Sequence, residues 1–152
     1  AEQSPSAGIS NVKGWHSDGD LLEWQEPGIK TLRQRINDGL SEMLEKTRNP
    51  ARTLDMRAKV RAWANVARHG AYNAIHNHTP ALYSDVYYVT LGDRPVDDPA
   101  SRSGLIEFVD PEPGMMLIFP SWLLHTVHPY DGTTPRISVA FNLHIKDGGV
   151  SG

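Results

Sequence analysis

The sequence predicts a mainly β fold, a jelly roll or double-stranded β-helix with one helix at its amino-terminal end, and two observations carry that expectation. Apolar residues recur at helical spacing between Pro27 and Arg48. After Pro50 the pattern changes to short runs rich in Val, Ile, Tyr and Phe, broken by Gly, Pro, Asn and Asp. About seven short strands with a single helix suit two packed sheets that carry the helix on their outside. The 152 residues are read as one domain spanning 1–152, with 39% hydrophobic content to fill a core.

From Ile9 to Trp24 the chain is turn-rich, with Gly14, Asp18, Gly19 and Asp20 around Trp15 and Trp24, and reads as irregular structure or a short strand packed by Trp15. Ile29, Leu32, Ile36, Leu40, Met43 and Leu44 then form the apolar stripe of one amphipathic helix, which Asn49 and Pro50 end. Strands are expected over 60–66, with Trp63 and Asn65 on one face, over 72–78 and over 85–91. Residues 92–104 are a polar loop. The remaining strands are expected over 105–109, 115–119, 125–127 and 136–143, and neither an internal repeat nor a low-complexity tract interrupts them.

Composition excludes several classes of function. With no cysteine the chain has no thiolate chemistry, and any metal must be held by nitrogen and oxygen ligands, for which seven histidines are the supply. A formal net charge of -3 with scattered lysines and arginines leaves no basic stripe for nucleic acid. The apolar runs are far shorter than a membrane span. The polar segment from Ala1 to Gly8 has no apolar signal region, so the expected location is the cytoplasm.

Chemistry concentrates around His76-Asn77-His78. In an extended strand, residues i and i+2 share a face, so His76 and His78 are placed to grip one metal ion together. His125, at the end of the run GMMLIFPSWLLH, supplies a third imidazole from a separate strand. Three protein ligands leave positions open for small molecules, as a catalytic metal needs. Arg136 opens the run RISVAFN, where Arg136, Ser138, Ala140 and Asn142 share one face; a guanidinium and a hydroxyl two residues apart can clamp a carboxylate.

At these residues the sequence resembles the non-heme iron(II), 2-oxoglutarate-dependent oxygenases, in particular a bacterial and phage branch of prolyl-hydroxylase-like proteins. The resemblance rests on Gly14 to Ser17, Trp63 to Asn65, Gly70 to His78, Ser84 to Val89 and Phe119 to Asn142, and so covers nearly the whole chain. It implies that iron(II) is the metal and 2-oxoglutarate the cosubstrate. It also implies that His76 and His125 are iron ligands, that Arg136 holds the far carboxylate of 2-oxoglutarate, and that Ser138 and Tyr87 stand beside it. The wider superfamily has a carboxylate two residues after the first histidine, where this chain has His78. The third ligand is therefore expected to be His78, with Asp85 as the alternative carboxylate. His16, His69, His128 and His144 match no ligand position. Near Pro111 the chain is shorter than such relatives usually are.

The resemblance implies dioxygen and a substrate, a small molecule or a protein side chain, and the substrate is expected beside Trp63, Asn65, Tyr72 and Asn73 because these flank the ligand strand. A homodimer is left open. A rival shares the fold and the metal: cupins also carry a Gly-x5-His-x-His element, here Gly70, His76 and His78, and a second block met by Gly114, Pro120 and His125. Their glutamate is missing near Leu82 and Tyr83, and they have no need of Arg136. A non-catalytic jelly-roll binding module is the third reading.

Overall fold

The computed structural model describes residues 10–47, 57–94 and 100–146, so the segment 1–9 and the expected helix stop at Asn49 and Pro50 lie outside the described residues. Two sheets face each other. The smaller is formed by β1 (Asn11–Val12), β4 (Tyr72–His76) and β7 (His125–Val127), in the order β1-β4-β7. The larger is formed by β2 (Trp15–His16), β3 (Arg57–Ala67), β5 (Tyr83–Thr90), β6 (Met116–Pro120) and β8 (Arg136–Lys146), in the order β2-β3-β8-β5-β6. All pairings are antiparallel.

The helix α1 (Pro27–Thr47) begins with proline, whose fixed φ and missing N–H suit a first helical position. Leu32, Ile36 and Leu40 are buried against Ala62, Val139, Phe141 and Leu143 of the larger sheet, with Ile29 and Met43 half-buried beside them. Burial of each such large side chain stabilises by about 1.5–3 kcal/mol. Leu44, included in the stripe by spacing, is exposed in the last turn.

The strand from 60 to 66 is longer than local pattern suggests because β3 and β8 pair over their whole length, from Arg57↔Lys146 to Ala67↔Arg136. The expected strand over 105–109 does not form: Ile106 makes only bridges, to Val109 and Val127, while the backbone turns at Leu105 and Val109. The strand expected over 72–78 stops at His76, and that over 85–91 runs instead from Tyr83 to Thr90.

Before α1, the chain is pinned to the edge of β3. Ser17 N–H donates to the Ala64 carbonyl and Ser17 Oγ accepts from Ala64 N–H, while Asp20 Oδ1 accepts from both Ala62 and Leu22 N–H. These side chains satisfy donors that β2 is too short to reach. No helix among the described residues is long and apolar enough to cross a membrane.

Candidate metal centre and carboxylate pocket

Between the sheets lies an open cavity of about 460 Å³. Strand alternation and register explain its lining. Ser138 stands opposite Asn65 on one neighbour and Tyr88 on the other, and Ala140 stands opposite Trp63 and Val86. All of these, with Arg136, face the cavity.

The smaller sheet brings histidines over this floor. His76 and His125 are direct partners across the β4–β7 pairing, so their rings meet with centroids 4.3 Å apart. His78 joins them, 4.8 Å from the ring of His76 and 5.2 Å from that of His125. Each offers a ligand nitrogen, and these nitrogens lie within 4.8 Å of one another. His78 does not arrive by strand alternation, since β4 has ended; its backbone N–H donates to the Ser121 carbonyl, which carries the chain back over the cavity beyond the strand.

The tautomers of two rings follow from their partners. His76 Nδ1 lies 2.7 Å from the Ala74 carbonyl and His125 Nδ1 lies 2.9 Å from the Leu123 carbonyl. A carbonyl only accepts, so each Nδ1 carries the proton and each Nε2 keeps a free lone pair, the arrangement found when histidine binds a metal. Burial, followed by the neighbouring charges of His76 and His125, lowers His78 to about 4, so that it is neutral near pH 7. Burial also lowers His125. Phe119 stands edge-on to His125 with centroids 4.9 Å apart, and Phe108 backs Phe119. One flank of the cluster is thus apolar.

Arg136 is 4% exposed, yet it makes no ion pair among the described residues, and its Nε is buried without a hydrogen-bond partner. Its guanidinium sits over the Tyr88 ring, 5.2 Å from the centroid. Burial lowers its pKa, an effect that Tyr88, its side-chain hydrogen-bond partner, opposes and the nearby Arg94 charge reinforces. A buried, unpaired cation is strongly unfavourable on its own, and it is a ready receptor for an anion. Gly104 makes room for it: with φ +67 it adopts a conformation natural to glycine, and a Cβ there would come 3.0 Å from Arg136 Cδ. The turn leading into β8 is held by Tyr130, whose buried Oη accepts from Asp93 N–H and lies 2.6 Å from the Thr134 carbonyl.

The structure therefore brings together His76, His78, His125, Arg136, Ser138, Trp63, Asn65 and Asn73 around one cavity. Two residues read from sequence fall elsewhere. Tyr87 alternates onto the opposite face, opposite Val139, where it packs towards α1 under the Arg35 guanidinium; the tyrosine beside Arg136 is its neighbour Tyr88. Tyr72 pairs with Val12 and does not line the main cavity. Asp85, the alternative ligand, borders the cavity, but alternation sends it with Tyr83 and Tyr87 to the face of Phe141 and Ile118, and it is not part of the histidine cluster. Both its carboxyl oxygens are buried without a partner, and burial raises it to about 8. Sequence reading also passed over His16, which lines the cavity and stacks on Trp63; its place in the GWHS run was the available signal.

These features define a jelly-roll protein with a histidine cluster and a buried arginine, without an ion pair among the described residues, in one cavity. Residues 94–142, about a third of the chain and including His125, Arg136 and Ser138, match the family described as "Putative 2OG-Fe(II) oxygenase". Among solved structures, a prolyl-4-hydroxylase from Pseudomonas putida is similar with a TM-score of 0.64 and 15% identity, over 93% of this chain and 77% of that one. The viral collagen prolyl hydroxylase of Paramecium Bursaria Chlorella virus-1, in its 2OG complex, is similar with a TM-score of 0.61 and 14% identity, over 88% and 79%. No curated protein sequence matches the chain. The matched segment is thus similar to the 2OG-Fe(II) oxygenases, and the whole chain shares the fold of these two hydroxylases.

Proposed function

We propose that the protein is an iron(II)- and 2-oxoglutarate-dependent oxygenase that hydroxylates its substrate and releases succinate and CO2. His76, His78 and His125 hold the metal, and Arg136 with Ser138 holds the far carboxylate of 2-oxoglutarate. The observation that carries this reading is the unpaired Arg136 guanidinium buried in the same cavity as the histidine cluster. A cupin-type metal site has no use for such a cation.

The donor set fits the metal. Ligands at roughly 2.0–2.1 Å from one ion, the range for histidine on zinc, lie at most about 4.2 Å apart. A small closing rotation of the three rings therefore suffices. Neutral imidazoles leave the ion's full charge in the site, and 2-oxoglutarate brings two carboxylates to offset it, one at the metal and one at Arg136. When bound, iron(II) supplies dioxygen activation: one oxygen atom enters succinate as 2-oxoglutarate loses CO2, and the other enters a C–H bond of the substrate.

The protein's own residues set geometry and dryness. The Ala74 and Leu123 carbonyls hold two imidazoles in the ligating tautomer, and the buried Arg136 fixes one end of the cosubstrate by a fork of hydrogen bonds. The buried Phe119 keeps water from one side, while Trp63, tilted against His78 at 5.8 Å, borders the side left for substrate.

Anaerobic titration with iron(II) and then 2-oxoglutarate tests the reading. A weak visible charge-transfer band is expected in the wild type and is expected to be lost in His76→Ala and His125→Ala, with circular dichroism unchanged. Metal uptake without the band would return the cupin reading, and no metal uptake the binding-module reading.

A further inference from the structure

We propose that the substrate is a free α-amino acid, its carboxylate held by Arg61 and its ammonium by Asp18; the proposal rests on the oxygenase reading and names the substrate class of that site. A second cavity, of about 320 Å³, adjoins the first and shares His16 and Trp63 with it. Its size is that of a small-molecule site. The floor continues the same face of the larger sheet: Trp63 lies opposite Ala140, and Arg61, two residues on, lies opposite Asn142. Two strand residues span about 6.6 Å, so Arg61 stands one short side-chain length beyond Trp63, on the side away from Arg136.

The second cavity offers one formal cation and one formal anion, Arg61 and Asp18. Both are exposed, and neither forms a side-chain hydrogen bond or an ion pair among the described residues, with each other or with any neighbour. Asp18 is not on a loose loop: Ser17 before it and Asp20 after it are both bonded to β3, which anchors its backbone beside the strand that carries Arg61. An α-amino acid carries complementary charges on one carbon and meets both residues at once. An internal peptide unit carries neither. The stacked rings of Trp63 and His16, 5.6 Å between centroids, form an apolar rail from this head-group site towards His78, on which an aliphatic side chain reaches the histidine cluster. Asn142 and His144 close the far wall.

Calorimetric titration of the full chain with free L-amino acids and with their N-acetyl amides, first metal-free and then loaded anaerobically with iron(II) and 2-oxoglutarate, tests this. At least one free amino acid with an extended aliphatic side chain is expected to bind at least tenfold more tightly than its blocked amide. Arg61→Met and Asp18→Asn are each expected to weaken that binding at least tenfold, and Arg61→Lys to restore part of it, with circular dichroism confirming the fold. Equal binding of the blocked amide, or indifference to Arg61→Met, would overturn the proposal. Loading is read separately from the visible band. A protein that shows the band and ignores every free amino acid overturns the amino-acid site alone; one that shows no band overturns the oxygenase reading and this proposal with it.

Discussion

The two faces of the larger sheet differ more than any two regions of the molecule, although they are made by the same strands. On β8, Ile137, Val139, Phe141 and Leu143 alternate with Arg136, Ser138, Ala140 and Asn142. Val139, Phe141 and Leu143 of the first set gather with α1 in the buried apolar core; Arg136, Ser138 and Ala140 of the second line the main cavity and Asn142 the one beside it. Stability and chemistry are thus divided residue by residue along one strand, and each face carries one departure from its own rule. The apolar face holds the unpartnered carboxylate of Asp85, and the polar face holds the unpaired Arg136.

The largest contrast should come from truncating one residue on each face. Phe141, fully buried, is expected to cost about 3–5 kcal/mol of unfolding free energy when changed to Ala. Ser138→Ala, three positions away, is expected to cost no more than about 1 kcal/mol. Urea titration of both variants measures the difference, and similar losses would mean the cavity face is also structural.

Asp85 gives the next effect, through pH. Its folded pKa of about 8 stands above the ordinary 3.8, so between these values the folded state keeps a proton that the unfolded state has released. Stability therefore falls as pH rises through this window, by up to about 1.4 kcal/mol per unit. His78 has the opposite sense: lowered from 6.5 to about 4, it makes the metal-free protein lose stability as pH falls through that range. The two slopes oppose each other between pH 4 and 6.5, and only that of Asp85 remains from 6.5 to 8. Asp85→Asn is expected to raise the melting temperature at pH 8, to expose a stability that climbs from pH 4 to 6.5, and to leave iron binding unchanged. Weakened iron binding would return Asp85 to the ligand set.

The smallest effects should separate the adjacent tyrosines. Arg136→Leu is expected to weaken 2-oxoglutarate binding by roughly 1.5–3 kcal/mol, the range for a charged hydrogen bond, with iron affinity unmoved. Loss of a buried, unpaired charge should leave folding stability level or higher. Tyr87→Leu should leave 2-oxoglutarate binding alone and reduce stability by about 0.5–1 kcal/mol through its contact with Arg35. A 2-oxoglutarate defect in Tyr87→Leu would contradict the division between faces.

By itself the sequence determined what local periodicity and residue chemistry control. The helix from Pro27, the carboxyl-terminal strands, and the ring nitrogens and guanidinium that could serve a metal and an anion were legible because spacing and side-chain type are properties of neighbouring residues. Only the tertiary structure decided which of Tyr87 and Tyr88 faces Arg136, since alternation gives two faces but register with β8 chooses between them. It also decided that His78 meets the other two histidines from beyond the end of β4, where no strand rule applies, and that Asp85 turns away from them. The pairing of Trp63 with Ala140 and of Arg61 with Asn142, which lays the second cavity beside the first, joins positions far apart in the chain. Such pairing depends on the closure of long loops and the burial of a shared face, and local pattern does not record it.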